Sequence, residues 1–117
     1  MNRRAEAERR GRRAETKAAW WLRLHGWRIV GQRVRVHGGE IDLVARRGRT
    51  LAFVEVKARA SVEAAAWAVD EQRLHRVAAA AEQLTARFGN GCDTVRIDLV
   101  LIVPGRLPQH RVNVWSQ

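Results

Sequence analysis

The segment GGEIDLVARRGRTLAFVEVKAR, Gly38 to Arg59, decides how this 117-residue chain is read. Gly48-Arg49 suits a two-residue hairpin loop, glycine being the first central residue of a type II′ turn. EIDLVARR (40–47) and TLAFVEVKA (50–58) then become its two strands. Such a loop sets Arg47 opposite Thr50, and Ile41, Leu43 and Ala45 opposite Val56, Val54 and Ala52. That is one apolar surface, which supports the register. On the other surface Asp42 lies opposite Glu55, and Glu40 opposite Lys57.

Like charges directly opposite one another are destabilising, so something must compensate. A divalent cation does this well, because hard carboxylate oxygens suit Mg²⁺. Lys57 projects to the same side as Glu55, where it can orient or deprotonate a water or stabilise charge on a phosphoryl oxygen. An ordinary salt-bridge network is the other reading. If the preceding turn closes at Gly38-Gly39, Arg35 lies opposite Asp42, and Arg35 and Lys57 neutralise the three acids. Spacing alone leaves both open.

Working outward, residues 3–25 read as a helix rich in Ala, Arg, Glu, Lys and Leu, stopped by Gly26. Ala18, Ala19 and Leu22 share a face with Glu15. The stretch up to residue 13 is strongly basic and is expected to fray. WRIVGQRVRV (27–36) reads as a strand, followed by a His37-Gly38-Gly39 turn. Residues 69–88 read as a second helix, ended by Gly89-Asn90-Gly91. TVRIDLVLIV (94–103) is apolar enough to be a central strand buried on both faces, and HRVNVW (110–115) an edge strand. The order α-β-β-β-α-β-β predicts an α/β sandwich around a mixed sheet. Residues 1–117 make one domain.

The net charge of +10, from 22 basic and 12 acidic residues, points to a polyanionic partner, nucleic acid before a membrane surface. Hydrophobic residues at 46% suffice for a core. No apolar run approaches transmembrane length, and no apolar region follows the basic N-terminus as in a signal peptide. One cysteine, Cys92, excludes an internal disulfide and a zinc cluster and fits a reducing cytoplasm. It lies in a polar loop with no evident base, which argues against a catalytic thiol. His25, His37, His75 and His110 lack ligand spacing and read as surface residues, with only His37 near the acids. Trp20, Trp21, Trp27 and Trp67 read as core or subunit contacts rather than base-stacking platforms.

Asp42 followed by Glu55-Val56-Lys57 resembles the PD-(D/E)xK signature of restriction-endonuclease-like nucleases. More closely, GGEIDLVARRGRTLAFVEVKAR resembles the core of the YraN-like uncharacterised protein family. Glu15, Arg35, Val69 with Arg73, and Val95-Arg96-Ile97-Asp98 extend the likeness over most of the chain. The chain departs from the family at Ala14, Arg33 and Arg73, where Gly, Asn and Lys are usual, and in a shortened loop between Arg59 and Val69.

The resemblance implies a restriction-endonuclease-like sandwich, shared with Holliday-junction resolvases. It implies Mg²⁺- or Mn²⁺-dependent hydrolysis of DNA phosphodiesters, with branched DNA as an expected substrate. Asp42 and Glu55 would then hold the metal, Glu15 would complete its shell, and Lys57 would position the water. Arg33, Arg35, Arg59, Arg73 and Arg76 become candidate phosphate contacts. A homodimer is expected if the substrate is a four-way junction. The alternative is a non-catalytic module of the same fold that grips nucleic acid without cutting it.

Overall fold

The computed structural model describes residues 2–61 and 71–115. Within them run helix α1 (Arg3–Leu24), strands β1 (Arg28–Val36), β2 (Gly39–Arg47) and β3 (Thr50–Ala58), helix α2 (Glu71–Phe88), and strands β4 (Thr94–Ile102) and β5 (Gln109–Arg111). The anticipated order holds. The expected start of the second helix at Val69, and Trp67, lie outside the described residues.

Helix α1 begins because Asn2 caps it: its side-chain oxygen accepts the amides of Arg4 and Ala5. The basic first half is helical from Arg3 onward. The helix ends at His25, with Gly26 just beyond it at φ +88°. Ala14, Ala18, Ala19 and Leu22 form its buried stripe. Short alanine side chains let the backbone lie close on the sheet.

The sheet order is β1-β2-β3-β4-β5. The first three strands are antiparallel neighbours, β3 and β4 are parallel across the α2 connection, and β5 returns antiparallel. One face meets α1, with Leu43, Ala45, Ala52 and Val54 packed against its alanine stripe and Trp27. The other meets α2, with Val44, Leu51, Phe53 and Ile97 against Leu74, Val77, Ala81 and Leu84. The central strand is therefore β3, not β4, which has only the three-residue β5 on its outer side. Ile97 to Val103 is still buried, because Val114 of the C-terminal segment packs with Leu99, Leu101 and Val103.

The β2–β3 loop is the anticipated one, with Gly48 at φ +59° and pairs Arg47–Thr50, Ala45–Ala52 and Leu43–Val54. The β1–β2 turn differs. His37-Gly38 closes it, so Val36 pairs with Gly39 and Arg35 with Glu40. Arg35 therefore does not lie opposite Asp42 but pairs with Glu40, and Lys57 lies 3.9 Å from Glu55, so the salt-bridge reading holds for those two acids and fails at Asp42.

A second correction concerns Ile41. It packs with Val44 and Phe53 on the α2 side, not with Leu43 and Ala45 on the α1 side. Alternation breaks between them. The β1–β2 pairing passes from Gln32–Leu43 to Val34–Ile41, and the β2–β3 pairing ends at Leu43–Val54. The register that would set Asp42 squarely against Glu55, and Glu40 against Lys57, is not formed. The sheet is interrupted on both sides of Asp42.

Candidate active site

The interruption gathers the acids. Arg33 would stand beside Asp42 in a continuous ladder. It takes φ 49° instead, a left-handed backbone that costs a non-glycine residue on the order of 1–3 kcal/mol. Asp42 turns its side chain into the gap, and its Oδ2 accepts the Val56 amide at 2.8 Å. A carboxylate thus takes an amide of the neighbouring strand, a group that backbone carbonyls accept in a regular ladder.

Glu55 approaches from β3 and is 1% exposed, against 9% for Asp42. Arg73 of α2 donates Nε to Glu55 Oε2 at 2.6 Å, and Lys57 Nζ lies 3.9 Å from the same oxygen. Glu55 Oε1 is buried and has no hydrogen-bond partner among the described residues. An unsatisfied buried carboxylate oxygen is costly.

The electrostatics agree. Burial, reinforced by the charge of Glu55, pushes Asp42 up to about 7, against the pull of the Val56 amide and Arg73. Burial, then the nearby Arg73, lowers Lys57, with Glu55 and Asp42 opposing. Asp42 and Lys57 are each shifted toward the neutral form, and Glu55 keeps an unsatisfied oxygen while Arg73 and Lys57 face its other one, a pattern found at functional sites.

Glu15 of α1 comes near, since its charge helps raise Asp42. It is held by Arg33, through Nε at 3.0 Å and Nη2 at 2.9 Å. Among the described residues no three His, Cys, Asp or Glu side chains come together closely enough to hold a metal ion. The expected three-acid shell is thus two acids, with the third in the grip of an arginine.

The candidate phosphate contacts divide. Arg33 and Arg73 are engaged by Glu15 and Glu55, so they serve the site before any ligand. Arg35 pairs with Glu40 while staying 85% exposed. Arg59 closes β3, its guanidinium on the Ala58 carbonyl. Arg76 is exposed on α2. His37 is exposed at its turn, and Cys92 is a half-buried free thiol. Trp27 is core at 3% exposure, but Trp20 is not, at 59%.

A third buried carboxylate had no partners assigned from sequence. Asp98 of β4 is 0% exposed. Arg96 donates to it twice, at 3.1 and 2.9 Å, His110 Nε2 lies 2.7 Å away, and the Asn113 amide donates at 2.9 Å. His110, read as a surface residue, is thus an anchor. An Asp within the apolar run TVRIDLVLIV was the available signal, because a buried charge requires partners. The return strand was expected at 110–115 and is the shorter β5, Gln109–Arg111, but its register against β4, which brings His110 to Asp98, could not be read from sequence.

With fold and site in view, comparison with known proteins becomes informative. The model of the uncharacterised protein family UPF0102 matches residues 14–102. The chain belongs to that family. This bears out the YraN-like resemblance. A UPF0102 protein of Rhizorhabdus wittichii is 64% identical over 115 residues, covering 98% of each chain. One from Erythrobacter litoralis is 50% identical over 110 residues, covering 94% of this chain and 95% of its own. Among solved structures, Archaeoglobus fulgidus Hjc, a Holliday junction resolvase from an archaeal hyperthermophile, aligns with a TM-score of 0.59 and 21% identity, covering 87% of this chain and 76% of its own. The UPF0102 chain thus has the restriction-endonuclease-like fold expected of it. No described helix is long and apolar enough to cross a membrane.

Proposed function

We propose that this protein is a Mg²⁺- or Mn²⁺-dependent endonuclease that hydrolyses DNA phosphodiester bonds, with branched DNA as its substrate. One observation carries the reading: the buried, unpartnered Glu55 Oε1 next to a second buried carboxylate, Asp42. Both offer the hard oxygens that these cations prefer. The donor set therefore fits. When bound, the cation supplies Lewis-acid polarisation of a phosphoryl oxygen.

The chain's own residues do the rest. Asp42 and Glu55 would hold the cation. Arg73 balances Glu55 through its other oxygen. Lys57, only 14% exposed, is confined near Glu55. Its lowered pKa eases proton exchange at Nζ, so it can orient an attacking water or steady charge on the phosphate. Glu15 joins the acids once Arg33 releases it, and a DNA phosphate is the natural competitor for that guanidinium. The fold likeness to a Holliday junction resolvase and the +10 charge support DNA as substrate, and the single cysteine fits a cytoplasmic setting. A four-way junction has two strands to cut, so the protein acts on it as a homodimer.

A non-catalytic binding module is the second reading, favoured by the cations already placed on Glu55. Incubating a labelled four-way junction with the protein in Mg²⁺ or in EDTA decides between them. Nicking in Mg²⁺ by wild type, abolished in EDTA and in Asp42→Asn, is expected. Tight binding without any nicking establishes the module instead.

A further inference from the structure

Two clefts lie along α1 and share two lining residues. The larger, about 620 Å³, runs between the first half of α1 and the ends of β3 and β4. It starts at Lys57 of the candidate active site and passes Arg59, Arg10, Arg13 and Lys17. Its floor is made of small side chains, including Ala7, Gly11 and Ala14, and a Cβ built on Gly11 would meet nothing within 4 Å. The second, about 380 Å³, shares Lys17 and Ile102 with the first and continues past Trp20, Trp21 and Leu24 to Arg106.

Helical spacing explains the alignment. Arg13, Lys17, Trp20 and Leu24 follow at intervals of four, three and four, which stacks them along one stripe of α1. Among the described residues no acidic side chain lines either cleft. Trp20 is 59% exposed, with the Arg23 guanidinium 5.1 Å from its ring centroid.

We propose that these two adjoining clefts together form a track for an unpaired nucleic-acid strand leading away from the cleavage centre, with Trp20 as its base-stacking platform. Cations that follow a backbone and end on an open aromatic ring are the two elements of single-strand recognition, in which every base has a face to stack. Charge complementarity selects this occupant over a second copy of the chain. A self-interface here would bring Arg10, Arg13, Lys17, Arg23 and Arg106 against surfaces of the same sign. The homodimer proposed above then uses another surface. The inference rests on the nuclease reading only for where the track begins, and it narrows the substrate to branched molecules that carry an unpaired arm.

The test uses the full chain in EDTA, so that binding is measured without cleavage. Fluorescence anisotropy follows labelled oligo(dT), its oligo(U) counterpart and a blunt duplex. Trp20→Leu should weaken oligonucleotide affinity on the order of tenfold, Trp20→Phe should restore most of it, and duplex affinity should stay unchanged. Arg13→Ala with Lys17→Ala should weaken binding and flatten its salt dependence. The two labelled strands show whether DNA or RNA is preferred, and binding of either supports the track. Unchanged oligonucleotide affinity in Trp20→Leu overturns the proposal. So does a loss of self-association in that variant on sedimentation without loss of strand binding, because the patch is then a subunit contact. Nicking assays separate this from the nuclease reading. Strand binding as described without Mg²⁺-dependent nicking removes the nuclease and keeps the track, whereas nicking with Trp20-independent strand binding removes the track alone.

Discussion

Asp98 and the Asp42–Glu55 pair are buried carboxylates on neighbouring strands of one sheet, and they are treated in opposite ways. Asp98 has Arg96, His110 and the Asn113 amide within hydrogen-bond reach. Burial alone would push it up, but those partners together hold it below the usual aspartate value. Asp42 has one amide and is pushed up to about 7, and Glu55 keeps one oxygen with no partner. The fold can evidently satisfy a buried acid when it serves architecture. Two acids left under-satisfied at a break in the sheet, beside a strained Arg33, are the observation on which the proposed cation site rests.

The sharpest break of that contrast is removal of the Asp98 charge. Asp98→Asn leaves Arg96 and His110 facing a neutral amide at a buried position, and stability should fall by about 3 kcal/mol, read from urea unfolding. The same change at Asp42 should go the other way. Asp42→Asn keeps an acceptor for the Val56 amide and deletes a repelled charge, so at pH 8 in EDTA stability should rise by on the order of 2 kcal/mol.

pH separates the two further. Asp42 has a folded pKa above its unfolded one, so the folded state binds the extra proton between about 3.8 and about 7. Its contribution is therefore full at low pH and is lost as pH rises through that window. Asp98 has a folded pKa below 3.8, so its contribution is present above that value and is lost only as pH falls below it. The stability gap between Asp42→Asn and wild type should open from pH 4 to 8 in unfolding curves. A gap that does not change with pH would contradict the assignment. The smallest effect belongs to Arg35→Ala. Its pair with Glu40 is exposed and should be worth ~0.5 kcal/mol or less in the same assay.

Much of this was legible in the residues. Gly48-Arg49 set the β2–β3 turn and the pairing of Leu43 and Ala45, and periodicity gave both helices. The positions of Asp42, Glu55 and Lys57 followed from that hairpin. What escaped was the local break. Pattern reasoning extends a ladder evenly, so it set Asp42 against Glu55 and Arg35 against Asp42. The turn at His37-Gly38 shifts the first pairing, and the left-handed Arg33 cannot be read from a strand-like sequence. Contacts of long sequence separation were equally hidden. Arg73 on Glu55, Arg33 on Glu15 and His110 beside Asp98 depend on how α2, α1 and β5 pack, which no local pattern states.

Under the proposed reading Asp42 and Glu55 form a cation site and not an ion-pair network. Thermal unfolding of wild type and Asp42→Asn, each in EDTA and in excess Mg²⁺, tests it directly. A ligand bound only to the folded state stabilises it by mass action, about 1.4 kcal/mol at tenfold its dissociation constant. The expected result is a midpoint for wild type that rises with Mg²⁺, and one for Asp42→Asn that starts at least as high in EDTA and hardly moves. A variant that melts lower than wild type in EDTA, together with a wild type indifferent to Mg²⁺, would contradict the site and the nuclease built on it.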